Sequence, residues 1–186
     1  MYTVCSKYFE NMLNRNKQDI NSYVNSNDLE RYLSHLRFDN PFVYRDSDLP
    51  NEIDSLFQGN NSLAIILLND NHPSGVGHYV ALRKDGTGED PSGMDLYTWF
   101  DCLGNAIPDD IQARFQRKSK VEFTRTALMS KKENLCGKHC IAFANAGNIP
   151  LPLFASILTS SKSYSADQLV ANLYRLNYGD NVLEVE

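Results

Sequence analysis

Leu63-Ala64-Ile65-Ile66-Leu67-Leu68 is an unbroken apolar run, bounded by Asn61 on one side and by the turn cluster Asn69-Asp70-Asn71 on the other. It is far shorter than the about 20 residues a membrane span needs. Its length and its turn-forming flanks predict a buried strand instead. His78-Tyr79-Val80-Ala81-Leu82 reads as a second strand and Leu96 to Phe100 as a third, closed by Asp101 and a turn at Gly104-Asn105. Gly86, Gly88, Pro91 and Gly93 make the connection between these two a loop over residues 85–93. Val121-Glu122-Phe123 is a candidate fourth strand, and Phe42-Val43-Tyr44 is a short extended piece that ends at Leu49-Pro50.

Helical signals surround these strands. Ser26-Asn27-Asp28 opens a helix whose Leu29, Tyr32, Leu33 and Leu36 fall at i, i+3, i+4 and i+7. Pro108 followed by Asp109 and Asp110 is another helix start, because proline suits the first turn and acidic residues suit its dipole. Cys136 to Ala146 predicts a central buried helix that ends at Gly147-Asn148 and is stopped by Pro150. Two more helices are expected at 151–159 and 165–177. Residues 1–25 are polar, with weak helical periodicity through Tyr8, Met12 and Ile20. The expected class is α+β, a small mostly antiparallel sheet packed on a central helix. One domain is expected over 1–186, with an extension at 1–25, a core at 26–146 and C-terminal helices at 147–186.

Composition narrows the function. The chain is 42% hydrophobic and 22% charged, as in ordinary globular proteins, and four cysteines are too few for a disulfide scaffold. Reduced thiols in a cytosol-like compartment are therefore expected. No basic stretch followed by an apolar run stands at the N-terminus, so secretion is not expected. The net charge of −5 argues against a protein that coats nucleic acid. Charge is nonetheless segregated: residues 111–140 carry eight basic side chains against Glu122 and Glu133. The plain reading of that stretch is solvated surface; the functional one is a patch for DNA or an acidic peptide.

Three residues carry chemistry. Cys136 stands where a polar stretch gives way to the central helix, and a thiol in a first helical turn feels the positive end of the dipole, which lowers its pKa. Gly137 lets backbone approach closely, and the Cys136 amide is placed to serve an oxyanion. His78 opens a strand after the glycine-bearing stretch with Gly75 and Gly77, where a base is held rigidly at an edge; His72 is the fallback. Asp101 ends the next strand, so a hairpin of the two would bring its carboxylate to the His78 Nδ1–H. Cys140 and Cys102 read as packing residues.

The strings Gly77-His78-Tyr79-Val80-Ala81-Leu82, Trp99-Phe100-Asp101-Cys102-Leu103-Gly104 and Cys136-Gly137-Lys138-His139-Cys140 together resemble blocks of the adenain-like cysteine proteases. Phe42 to Pro50 also resembles a block of the virus and Polinton members, so the likeness spans about residues 26–146. It implies a papain-like or adenain-like fold, with the family's histidine on His78, its acidic residue on Asp101 and its nucleophile on Cys136. The implied activity is a cysteine endopeptidase that cleaves viral capsid or precursor proteins at glycine-containing sites during virion maturation. It would act in the host cytoplasm or nucleus and in the virion, without cofactor, metal or membrane. The family also implies stimulation by DNA.

One departure stands out. The glutamine usual six or seven residues before the nucleophile is replaced by Met129 or Ser130. Asn134 and Gly137 are then the candidate oxyanion residues, with Gln112 or Gln116 as side chains that would fold in. Three other readings remain open at this point. They are a SUMO or ubiquitin-like deconjugating protease with the same triad, a zinc site from Cys136, His139, Cys140 and Cys102 or His78, and a catalytically dead binding module.

Overall fold

The computed structural model describes residues 24–36, 38, 41–57, 62–68, 77–85, 94–116, 118–130 and 135–178. In chain order the elements are α1 (Ser26–Leu33), β1 (Phe42–Arg45), two 3-10 turns (Asp46–Asp48 and Ile53–Leu56), β2 (Ser62–Leu68), β3 (His78–Lys84), β4 (Asp95–Phe100), α2 (Asp109–Gln112), β5 (Ser119–Phe123), α3 (Cys136–Asn145), α4 (Leu151–Thr159) and α5 (Ala166–Tyr178). The expected periodicity in residues 1–23, and His72, Gly75, Asn134 and the glycines at 86, 88 and 93, lie outside the described residues.

The five strands form one sheet in the order β1-β2-β3-β4-β5. The sheet is mixed, which corrects the expectation of a mostly antiparallel one. β2 pairs antiparallel with β3 and β3 with β4, but β1 runs parallel to β2 and β4 parallel to β5. The reason is connection length. Residues 46–61 and 101–118 each exceed the about a dozen residues that a parallel crossover needs, whereas antiparallel neighbours can be joined by a short turn.

The apolar run of β2 is explained by burial of both faces of the sheet. Leu63 and Ile65, with Tyr79, Ala81 and Phe100, face α3 and the other long helices. Ala64 and Ile66, with Val80, Leu82, Tyr97 and Trp99, face a second core closed by Leu49, Ile53, Phe57, Ile107 and Ile111. The two-residue period of the strand deals its side chains alternately to these layers.

Helix α3 is the centre of the first layer, with Gly137 to Ala144 all buried. Phe143 stacks on Phe100 with centroids 4.7 Å apart, and Phe154 of α4 meets both rings edge-on. Gly147, at φ +59°, ends α3 in the left-handed conformation that glycine adopts without penalty. Helix α1 is closed at its start by a capping box between Asn25 and Asp28. Ser165 and Gln168 make the same reciprocal pair of bonds at the start of α5.

Candidate active site

His78 and Asp101 meet at one end of the sheet because β3 begins where β4 stops. The register pairs Ala81 with Phe100, which leaves the first residue of β3 beside the turn that follows β4. His78 Nε2 lies 2.8 Å from Asp101 Oδ1, and both side chains are buried. The nitrogen engaged is Nε2, not the Nδ1 expected from the hairpin argument, and Nδ1 is the ring nitrogen turned to the interior.

The Asp101 carboxylate is itself held. The Leu103 N–H donates to Oδ1 at 2.7 Å and the Asn105 amide to Oδ2 at 3.0 Å, while the Gly104 N–H closes the turn on the Asp101 carbonyl. Gly104 is obligatory here. Its φ is +75°, and a Cβ would come within 2.9 Å of the Thr126 and Ala127 backbone. Of the turn residues legible in the sequence, Asn105 thus supports the carboxylate directly and Gly104 fixes the backbone that carries it.

Cys136 is the first residue of α3 and is half-buried. Its Sγ accepts the backbone N–H of Tyr79, the neighbour of His78, at 3.5 Å. The Tyr79 hydroxyl is shared with Ser26 of α1 at 2.7 Å, so Tyr79 ties α1 to β3 with its side chain and β3 to the sulfur with its backbone. Burial acts to lower the pKa of His78. The Asp101 hydrogen bond, the interaction with Cys136 and the negative charge of both outweigh it and raise the pKa to about 9. At neutral pH the imidazole is therefore protonated, the form that stabilises an adjacent thiolate.

The other two described thiols sit differently. Burial pushes Cys102 and Cys140 well above the ordinary thiol range, so both stay protonated. Cys102 donates its S–H to Met129 Sδ at 3.7 Å, and its carbonyl accepts the N–H groups of Leu128 and Met129. That is where the position of the usual glutamine goes: Met129 packs against Cys102, and the Ser130 N–H is taken by Asp167 Oδ2 at 3.0 Å. Gly137 is glycine for a packing reason, since a Cβ there would meet Val24 Cβ at 3.3 Å. Gln112 and Gln116 are exposed beside Ile111 and Phe115, on the opposite face of the sheet from α3, and do not reach the site. The backbone amides at the start of α3 are the donors the described residues leave beside Cys136, and no side chain caps that helix.

The residues of the zinc reading do not converge as a set. His139 Nε2 is bound to Asp167 Oδ1 of α5 at 2.8 Å. Among the described residues the ligand atoms that do gather belong to His78, Asp101 and Cys102, within 4.8 Å of one another, and two of these are already joined by a hydrogen bond. The basic stretch 111–140 is likewise dispersed. Lys138 is buried, with Nζ 5.0 Å from the Tyr174 ring, and Arg114 donates to the Leu49 carbonyl. Lys118, Lys120 and Arg125 remain exposed.

Sequence reading put Asn105 in a turn and Tyr79 on a strand without a role at the site, and it did not find Asp167 or Arg83, although the Ser165-x-x-Gln168 cap marks the helix turn that carries Asp167. No protein-family model matches the chain, and no curated protein sequence matches it. Among solved structures the chain is similar to the crystal structure of ASFV pS273R protease, with a TM-score of 0.54 and 15% identity over 84% of this chain and 67% of that one. This chain therefore has the fold of a protease, and the cysteine, histidine and aspartate described above lie together within it.

Proposed function

We propose that this protein is a cysteine endopeptidase that cleaves viral capsid or precursor polypeptides at glycine-containing sites during virion maturation. The observation that carries the chemistry is the buried His78–Asp101 bond at 2.8 Å, with Cys136 acting on the same imidazole from the first turn of α3. In this reading Asp101 orients the ring through Nε2, and Nδ1 faces the sulfur. The Cys136 thiolate attacks the scissile carbonyl carbon, and amides at the start of α3 receive the oxyanion. His78 gives its proton to the leaving amine as the C–N bond breaks. Water then adds to the thioester while His78 takes the proton back, and the acid product leaves with Cys136 restored.

The substrate assignment rests on the resemblance of the three sequence blocks together with the protease fold. On this reading the enzyme would act in the virion and in the host cytoplasm or nucleus. Stimulation by DNA would draw on Lys118, Lys120 and Arg125, and an activity that rises with added DNA and falls steeply with salt is the expected signature.

The test has two parts. Alkylation of each cysteine by iodoacetamide is followed against pH by peptide mass mapping, in wild type and in His78→Ala. Cys136 is expected to react fast below pH 7 in the wild type and to lose that advantage in the variant. Purified enzyme is then offered viral precursor proteins alongside a fluorogenic ubiquitin-like C-terminal substrate. Turnover of the latter alone would replace the substrate class and keep the chemistry. A Cys136 that reacts as an ordinary thiol would indicate a dead protease fold.

A further inference from the structure

Arg83 is charged, yet its side chain is 3% exposed in the middle of the core. Every part of the guanidinium is engaged. Nε donates to Asp85 Oδ1 at 2.7 Å, Nη1 donates to the Gly147 carbonyl, and Nη2 donates to the Ile149 carbonyl at 3.3 Å. The Cζ atom also lies 4.6 Å from the centre of the Phe143 ring. Gly147 and Ile149 form the turn just past the C-terminus of α3, where unpaired carbonyls and the negative end of the helix dipole favour a cation. Burying such a group is costly unless it is hydrogen-bonded, and here each of its three nitrogens is bonded, two of them to the turn that follows the helix carrying Cys136.

The position of Arg83 along the strand gives this clamp its meaning. From His78 to Arg83 is five residues of strand, a rise of roughly 16–17 Å at about 3.3 Å per residue. From Cys136 to Gly147 is eleven residues, again roughly 16–17 Å at the about 1.5 Å per residue of a helix. The two elements are tied at the near end, where the Tyr79 N–H meets Cys136 Sγ, and at the far end, where Arg83 meets Gly147. β3 and α3 thus run side by side and are tied at two points, at Tyr79 and Arg83 on the strand and at Cys136 and Gly147 on the helix side.

We infer that Arg83 is a positioning residue for the cysteine chemistry: by fixing the C-terminal end of α3 against β3, it sets the axial register that brings Cys136 to His78. Asp85 is its aiming group, since it holds Nε and so turns the fork toward the two carbonyls. Lysine would keep the charge but cannot span both acceptors. A slide of α3 by about 1 Å would open the sulfur–imidazole contact while leaving the hydrophobic layer packed, and misplacement on that scale costs about a hundredfold in rate.

This inference rests on the cysteine peptidase reading, and the experiment separates the two. Iodoacetamide alkylation of Cys136 against pH is measured in wild type, Arg83→Lys, Asp85→Asn and Ile111→Ala. Melting temperature is recorded for each, with kcat and KM on quenched peptides containing glycine at the cleaved position. For Arg83→Lys, alkylation at pH 6 is expected to fall about tenfold and kcat about 10- to 100-fold, with KM held within about threefold. Asp85→Asn is expected to move both readouts in the same direction by less. Ile111→Ala, in the core on the other face of the sheet, is expected to lower the melting temperature and leave both unchanged. A folded Arg83→Lys with the wild-type alkylation profile and kcat overturns the inference and leaves the peptidase reading standing. If Arg83→Lys does not fold, Asp85→Asn decides by the same criterion. A wild type in which Cys136 has no advantage at low pH overturns both.

Discussion

The two faces of the sheet are built from different materials. The face toward Ile53, Tyr97, Trp99 and Ile111 is apolar and aromatic, with polar contacts at its rim such as the Tyr97 hydroxyl donating to the Asp54 carboxylate and Arg114 to the Leu49 carbonyl. The face toward α3 buries Arg83, Lys138, His139 and Asp167 within or beside its hydrophobic layer, and His78 and Asp101 are buried at the end of the sheet beside the first turn of α3. A buried ionisable group is costly unless paired, and each of these has a partner: His78 with Asp101, His139 with Asp167, Arg83 with two carbonyls, Lys138 with an aromatic ring. One face supplies stability, while the other spends part of it on holding charged groups in fixed places. The difference teaches where substitutions separate activity from folding.

The sharpest separation is Cys136→Ala. Peptide cleavage is expected to fall by about 10⁵-fold or more, with the urea midpoint shifted by less than about 0.5 kcal/mol equivalent, since a half-buried thiol contributes little packing. Residual cleavage above a few per cent would put the nucleophile elsewhere and dissolve the contrast. Gly104→Ala comes next, because it strains a left-handed residue and drives a Cβ into the Thr126–Ala127 backbone beneath Asp101. About 1–3 kcal/mol of stability and at least about tenfold in kcat/KM should go together. Loss of stability with unchanged kcat/KM would show that the turn does not position the carboxylate.

A third test uses pH. The folded pKa of His78, about 9, lies above its ordinary 6.5, so its contribution to stability is full below about pH 6.5 and is lost as pH rises through about 9. Denaturation midpoints of wild type and His78→Ala should therefore converge between those limits. A constant gap would mean that the imidazole is not charged in the folded protein. The smallest effect belongs to the other face: Ile66→Val should cost about 0.5–1.5 kcal/mol and leave cleavage by folded enzyme unaltered.

Much of this arrangement was legible in the residues. The end of α3 before Gly147 and the strand at 63–68 followed from local signals, because caps, turns and apolar runs act over a few residues, whereas His78, Asp101 and Cys136 were singled out by such signals together with the resemblance of the three sequence blocks. Strand β3 was read as ending at Leu82 because Arg83 and Lys84 are charged; it continues because Arg83 finds its partners in a turn more than sixty residues away. The parallel edges were missed although the long connections implied them. The ring nitrogen that meets Asp101 was misread, since which nitrogen it is depends on the tilt of one imidazole in the packed core. The structural reason for Gly137, its contact with Val24, depends equally on a contact remote in sequence.

The order in which the site is made has a consequence for biosynthesis. All five described strands precede Cys136 in the chain, so the residues of the sheet, His78 and Asp101 included, are synthesised before the proposed nucleophile. Even when it emerges, the sulfur has no partner until α3 has docked between the sheet and its neighbouring helices, a step that depends on contacts distant in sequence and so comes late. On the proposed peptidase reading, a half-folded chain is therefore inert toward its neighbours, and hydrolytic competence arrives with the last layer of packing.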